Sequence, residues 1–298
     1  MDKETAPRPH VTPPATALGL GLRAHREHRG VTVRGLAADL DLDPATVSMI
    51  EHATRRPKLD YVIRVLGYLG VAGTEYRRLV ALAEHTEDGY LLEGGPIGYP
   101  VLRLEYERTA DAITEWSPAL VPELLQTPEY ARAVLDAGML TGDEVDEGVM
   151  LRLARPDADD RGPRYTVLLG EPALHRRYGG THVLRVQLRH LLTAIDERRA
   201  SVRIVPREGS WHPSLIAPFT LFEFRKRRPL VTLDHHYVGA YVTEEGPVTR
   251  YQESLEHLTA QRALSERASR EIIAKAAAAL GPARDPGWSP PLPGAACG

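Results

Sequence analysis

The stretch VTVRGLAADLDLDPATVSMIEHATRRP, residues 31–57, decides how the first part of the chain folds. Thr32 stands where its hydroxyl can cap a helix running from about Val33 to Leu40. Asp43-Pro44 then starts a second helix, as a capping carboxylate followed by proline at the first helical position. Leu42 before that cap and Val47 after it can close a hydrophobic staple, and Pro57 stops the segment. Leu36, Ala37, Leu40, Leu42, Val47 and Ile50 fall on one inward face, with Ala37 small enough for the helices to cross closely. Two short helices joined by a turn of three or four residues form a helix-turn-helix, whose second helix can lie in the major groove of double-stranded DNA. Its exposed N-terminal face is Ala45, Thr46 and Met49.

Working outward, residues 17–87 read as an all-α domain of five short helices. The first ends at Gly30, suited to the residue just past a helix end. Leu59, Val62, Leu66 and Leu69 make the inward stripe of the fourth, and Tyr76, Leu79, Val80 and Ala83 that of the fifth. The segment LAADLDLDPATVSMIEHATRRP resembles the helix-turn-helix of the phage-repressor-like (XRE) transcriptional regulators. That resemblance covers roughly residues 17–85 and implies that Arg26 pairs with Glu51 as scaffold. The sequence departs from the family pattern at Asp41, where the turn glycine is expected, and at Ala53, where a glycine follows the recognition helix. At the turn, Asp41 tolerates a left-handed backbone better than most residues, at some cost.

The base-facing positions carry no arginine or glutamine for a bidentate pair with guanine or adenine. Direct reading falls to Thr46 and to methyl contacts with thymine. Arg34, Arg55 and Arg56, with Lys58 and Thr54, are the candidate phosphate contacts, and Thr32 is counted with them among the DNA-binding positions. Across residues 17–64, eight Lys/Arg face six Asp/Glu, a net of +2. So small an excess predicts a homodimer that doubles the contacts.

The whole chain has 298 residues, 37 Lys+Arg against 40 Asp+Glu, and one cysteine. A net charge of −3 excludes a polycation that coats nucleic acid indiscriminately. The lone Cys297 excludes an internal disulfide framework or a cysteine-cluster zinc site, and no apolar run is long enough for a membrane span. Residues 1–16 lack the apolar core of a secretory signal, so the expected location is cytoplasmic. They read as a disordered, proline-rich lead, and residues 281–298 as a disordered tail. The glycine- and proline-rich DGYLLEGGPIGYP, residues 88–100, reads as a linker.

Residues 101–280 predict an α+β domain with a mixed sheet, which makes the chain α+β overall. RLEYERTADAITEW, TPEYARAVLDAG and VDEGVMLRLAR read as helices. Tyr165–Leu169, Val202–Val205, Phe219–Phe224, Leu230–Leu233 and Ala240–Thr243 read as strands. Two helical stretches end near Glu197, Gly179-Gly180 ends one of them, and a last helix runs from about Val248 to Leu280. This region resembles the large C-terminal domain of actinobacterial antitoxin-like regulators. The resemblance rests on LEYERTADAITEWSPALVPELLQTPEYARAVL (104–135), EPALHRRYGG (171–180), QLRHLL (187–192), VRIVPREGSWHPSLIAPFTLFEF (202–224) and RYQESLEHLTAQRALSERASREII (250–273). It implies a regulator, often encoded beside a small partner protein, whose sensory domain has no established ligand or reaction.

From the residues alone, a ligand or partner pocket would draw on Trp116, Tyr130, Glu171, His175, Trp211, His212 and Asp234. Glu171 and His175 are spaced to share a helix face, but two ligands do not complete a metal site, so no metal and no cofactor is expected. No nucleophile, base and orienter occur together, so no enzyme is expected. The basic run Arg225-Lys226-Arg227-Arg228 reads as a hairpin tip, with a further phosphate contact as the sharper alternative. The leading reading is a dimeric, sequence-specific DNA-binding transcriptional regulator controlled by a small-molecule effector or small protein partner. The alternatives are a protein-interaction module, or a recruited small-molecule enzyme using Glu171, His175, His212 and Asp234, each with a degenerate helix-turn-helix.

Overall fold

A computed structural model describes residues 11–94, 100–137, 140–153, 162–209, 212–235 and 238–281. Among these the helices are α1 (Pro13–His28), α2 (Val33–Asp39), α3 (Pro44–Glu51), α4 (Leu59–Leu69), α5 (Gly73–Glu84), α6 (Pro100–Thr109), α7 (Pro128–Asp136), α8 (Gly142–Leu153), α9 (Gly180–Asp196), α10 (Glu245–His257) and α11 (Glu266–Ala279). The strands are β1 (Tyr90–Gly94), β2 (Ala112–Ser117), β3 (Arg164–Gly170), β4 (Ser201–Val205), β5 (Phe219–Glu223), β6 (Leu230–His235) and β7 (Val238–Val242). They form one mixed sheet in the order β1-β7-β6-β5-β2-β3-β4, so the chain is α+β. None of the described helices is long and apolar enough to cross a membrane.

The chain divides into two compact units, residues 1–112 with 221–252, and residues 113–220 with 253–298. In the first, α1 to α5 bury Leu18, Leu22, Leu36, Val47, Val62, Leu66 and Leu79. Val65 and Leu82 join this core, whereas Leu59, expected in it, is exposed. Leu59 falls on the same face as Val62 and Leu66, but it is the first residue of α4, at the end of the buried stripe Val62–Val65–Leu66–Leu69.

Helix α1 begins inside the lead read as disordered. The Thr12 hydroxyl accepts from the Ala15 N–H at 3.3 Å and donates to the Thr86 carbonyl at 2.7 Å, and Pro13 holds the first helical position. Likewise β1 lies inside the stretch read as a linker. It pairs antiparallel with β7, Tyr90 opposite Val242 and Leu92 opposite Ala240, so its ladder comes from residues far along the chain. In the same unit Arg103 is buried, bonds Glu107 at 2.9 Å and Asp234 at 2.5 Å, and so ties α6 to β6.

In the second unit, β3 and β4 are parallel neighbours joined through α9, with Gly170 opposite Val205 at their carboxyl ends. The segment AITEW, read as helix, is strand β2. The helical stretch stops at Thr109, and Ile113, Trp116 and Ala112 are buried on a β-strand instead. Gly179-Gly180 starts α9 rather than ending a helix, with φ of 69° and 94°. The long C-terminal helix is broken. A π-turn at Leu258–Arg262 ends α10, and Ser265 caps α11 through a bond from the Ala268 N–H. The carbonyls freed at the break are met by the Arg203 guanidinium, which donates to Thr259, Ala263 and Leu264 at 2.8–3.0 Å.

Candidate nucleic-acid interface

The geometry of the helix-turn-helix follows from its caps. Thr32 Oγ1 accepts from the Gly35 N–H at 3.0 Å and starts α2. Asp41 turns the chain with φ 50°, and Leu42 leads into the Asp43 cap. The Asp43 carboxylate accepts from the N–H groups of Ala45 and Thr46 at 3.2 and 3.1 Å. These bonds, that to Ala45 foremost, hold its carboxyl below the ordinary range, so it stays ionised at neutral pH. Past the helix, Ala53 occupies the left-handed region at φ 54°, and Thr54 bonds back to the Met49 carbonyl at 3.0 Å.

Beneath this surface, Arg26 and Glu51 form a fork-to-fork pair at 2.7 and 2.8 Å. The two side chains are 9% and 3% exposed, and Arg26 also donates to the Val31 carbonyl at 2.8 Å. One guanidinium therefore joins α1, the start of α2 and the end of α3. The Glu51 hydrogen bond raises the Arg26 pKa, so the guanidinium stays charged. Burial, with Glu51 nearby, pushes the neighbouring Tyr61 hydroxyl up to about 12 and keeps it neutral.

The outer face of α3 is open. Ala45 is exposed, Thr46 is half-buried, and Met49 is 37% exposed. Thr46 is already engaged, donating to Asp43 at 3.1 Å and accepting from Arg55 Nη1 at 2.8 Å. Arg56 reaches Glu87 at 2.9 Å, an exposed pair. Arg34 and Lys58 are exposed too, as are Thr32 and Thr54. Of the eight sequence-derived contact positions, Thr32 and Arg34 lie at the start of α2, Ala45, Thr46 and Met49 on α3, and Thr54, Arg55 and Arg56 just after it. Sequence reasoning missed that Arg55 and Thr46 are bonded to one another, because a contact nine residues apart depends on the bend at Ala53.

The pocket residues behave differently. Trp116 and Tyr130 are core, 2% and 0% exposed, and burial raises the Tyr130 hydroxyl to about 12. Asp234 belongs to the first unit, held by Arg103. Glu171 and His175 lie on a 3-10 turn, Glu171–Leu174, and its end, 4.0 Å apart. His212 stacks on His257 with ring centroids 4.4 Å apart, and burial, then His257 and Arg262, lowers its pKa. Trp211 and Cys297 lie outside the described residues. Two of the expected pocket positions, Trp116 and Tyr130, therefore belong to the core. Among the described residues no group of three or more His, Cys, Asp or Glu is placed to hold a metal ion. The basic run is largely occupied: Arg225 bonds Asp111 through its N–H and Nε at 2.6 Å, and Arg227 lies 4.8 Å from the Phe224 ring centroid.

Residues 17–79 match the model of a helix-turn-helix domain, and residues 102–275 match that of a domain of unknown function, DUF5753. No curated protein matches the chain. A solved structure described as "Structure of TrmBL2, an archaeal chromatin protein, shows a novel mode of DNA binding" aligns with 74% of this chain and 71% of that one. Its identity is 13% and its TM-score 0.31, too low to establish a shared fold. Because the larger match spans more than half of the sequence, the chain belongs to the family of proteins that carry the DUF5753 domain, here behind an N-terminal helix-turn-helix domain.

Proposed function

We propose that the protein is a DNA-binding transcriptional regulator that acts as a homodimer in the cytoplasm. One observation carries this reading: α3 presents Ala45, Thr46 and Met49 outward, on a helix pinned by its Asp43 cap and by Arg26–Glu51. Such a face can enter a major groove, with the Thr46 hydroxyl on a base edge and methyl groups against thymine. Arg34, Arg55 and Arg56 flank it as phosphate contacts, Arg55 exchanging Thr46 for a phosphate oxygen. The DUF5753 domain senses a small molecule or a small protein partner, in an antitoxin-like arrangement. Its effector works by preferring either the DNA-competent or the DNA-incompetent state.

The test is a pull-down of genomic DNA with the purified full chain, followed by retardation assays on the recovered fragment. Three arginines in each of two copies imply a slope of log affinity against log salt of roughly −5. Arg55→Gln lowers that slope by about 1 per copy and weakens all sequences alike. Thr46→Val instead relaxes discrimination at a single base pair. Failure to retain any fragment at low salt would defeat the proposal.

A second reading has one observation in its favour: Arg55 and Arg56 both have acceptors within the chain. On that reading the helix-turn-helix is a docking module, and a tight protein partner is recovered in place of DNA.

A further inference from the structure

The motif EPALHRRYGG plays no part in the DNA-binding reading, yet it lines an open cleft of about 300 Å³ made by Glu171, Pro172, His175, Arg176 and Arg207. Its walls come from two places. Glu171 to Arg176 follow directly on β3, and Arg207 follows β4 after Pro206. Those strands are parallel and adjacent, with Gly170 opposite Val205 as their last pair, so the cleft sits outside their carboxyl ends. Open sheets with parallel strands place ligands at that end, because the connecting loops diverge there and leave a crevice.

The lining is cationic. Arg176 and Arg207 are exposed guanidinium groups against a single carboxylate, Glu171. That carboxylate is occupied: Oε2 accepts the Arg207 N–H at 3.0 Å, and Oε1 faces His175 Nε2 at 4.0 Å. The Arg207 guanidinium has no partner among the described residues, and Arg176 has a single long contact, to the Tyr178 hydroxyl at 3.4 Å. By contrast, other arginines of this unit are in close pairs, Arg152 with Glu123 and Arg270 with Asp196 at 2.8 and 2.7 Å. Glu171 therefore acts as a clip that holds the β4 loop beside the turn after β3, and two guanidinium forks remain to face an incoming oxyanion.

We infer that this cleft binds the phosphate group of a small molecule, gripped by Arg176 and Arg207 with His175 alongside. Guanidinium forks match phosphate oxygens two at a time, which an ammonium group cannot do. The site stands on its own geometry and holds whether or not α3 reads DNA.

The test uses the full chain and inorganic phosphate. Titration calorimetry at low ionic strength, against chloride at equal ionic strength, is expected to show saturable binding in the millimolar range. Arg176→Gln and Arg207→Gln each weaken it about tenfold or more, Arg176→Lys less than Arg176→Gln, and Arg177→Gln, outside the lining, by less than about threefold. Thermal melting in chloride checks that each variant is folded. No saturation beyond the chloride control, or equal losses in Arg176→Gln and Arg177→Gln, would overturn the site. So would an equal loss of duplex affinity in Arg176→Gln and Arg207→Gln, since the cleft would then be a backbone contact for DNA.

Discussion

Replacing Glu51 by alanine tests the architecture under the recognition helix. The substitution removes two of the three hydrogen bonds made by the Arg26 guanidinium and leaves it with the Val31 carbonyl. Glu27 lies 3.6 Å from Arg26 but is itself half-exposed and bonded to Arg23, so it compensates poorly. A buried charge that loses its partner costs about 3–5 kcal/mol, and a side chain that is 9% exposed gains little back from water. The expected loss is therefore about 3 kcal/mol or more. Urea unfolding followed by far-ultraviolet circular dichroism is the assay, because the tryptophans at 116, 211 and 288 all lie outside the five helices. The double replacement Arg26→Met with Glu51→Leu removes both charges together, and it should recover most of that loss. A cost below about 1 kcal/mol for Glu51→Ala, or a double variant no more stable than the single, would refute the reasoning.

Gly19→Ala places a methyl group 2.7 Å from the carbonyls of Ile50 and Glu51, where α1 crosses the end of α3, so urea unfolding should show destabilisation although alanine is the better helix former. Ala53→Gly, at φ 54°, relieves a left-handed alanine and should raise stability by roughly 1 kcal/mol in the same assay. The Asp43 carboxyl has a lower pKa folded than unfolded, so its contribution is complete above the unfolded value, near 4, and fades as pH falls through the folded one. Stability measured down that acid limb should therefore be flatter in Asp43→Asn, which keeps an N-cap acceptor but does not titrate.

The five-helix domain was legible because its signals are local. Thr32, Asp43-Pro44 and Gly30 set boundaries within a turn or two of themselves, and the inward positions repeat at the helical period. The Arg26–Glu51 pair was legible only through resemblance, since no spacing rule joins residues 25 apart. The strands β1 and β2 were misread for the opposite reason. LLEG looks like linker and AITEW like the continuation of a helix until distant strands supply hydrogen-bond partners and a buried face. The break between α10 and α11 had a local sign, Ser265 ahead of Glu266, but its stability depends on Arg203 from β4.

The chain's own order of residues determined the helix-turn-helix, its outward face and the α+β class, because caps, prolines and hydrophobic periods act over a few bonds. Tertiary structure alone decided where the polar and aromatic groups went: Trp116 and Tyr130 to the core, Arg55 to Thr46, and Arg176 and Arg207 to the lining of one cleft outside two parallel strand ends. Such placements depend on how distant segments pack, and a side chain's partners are set by that packing rather than by its neighbours along the chain.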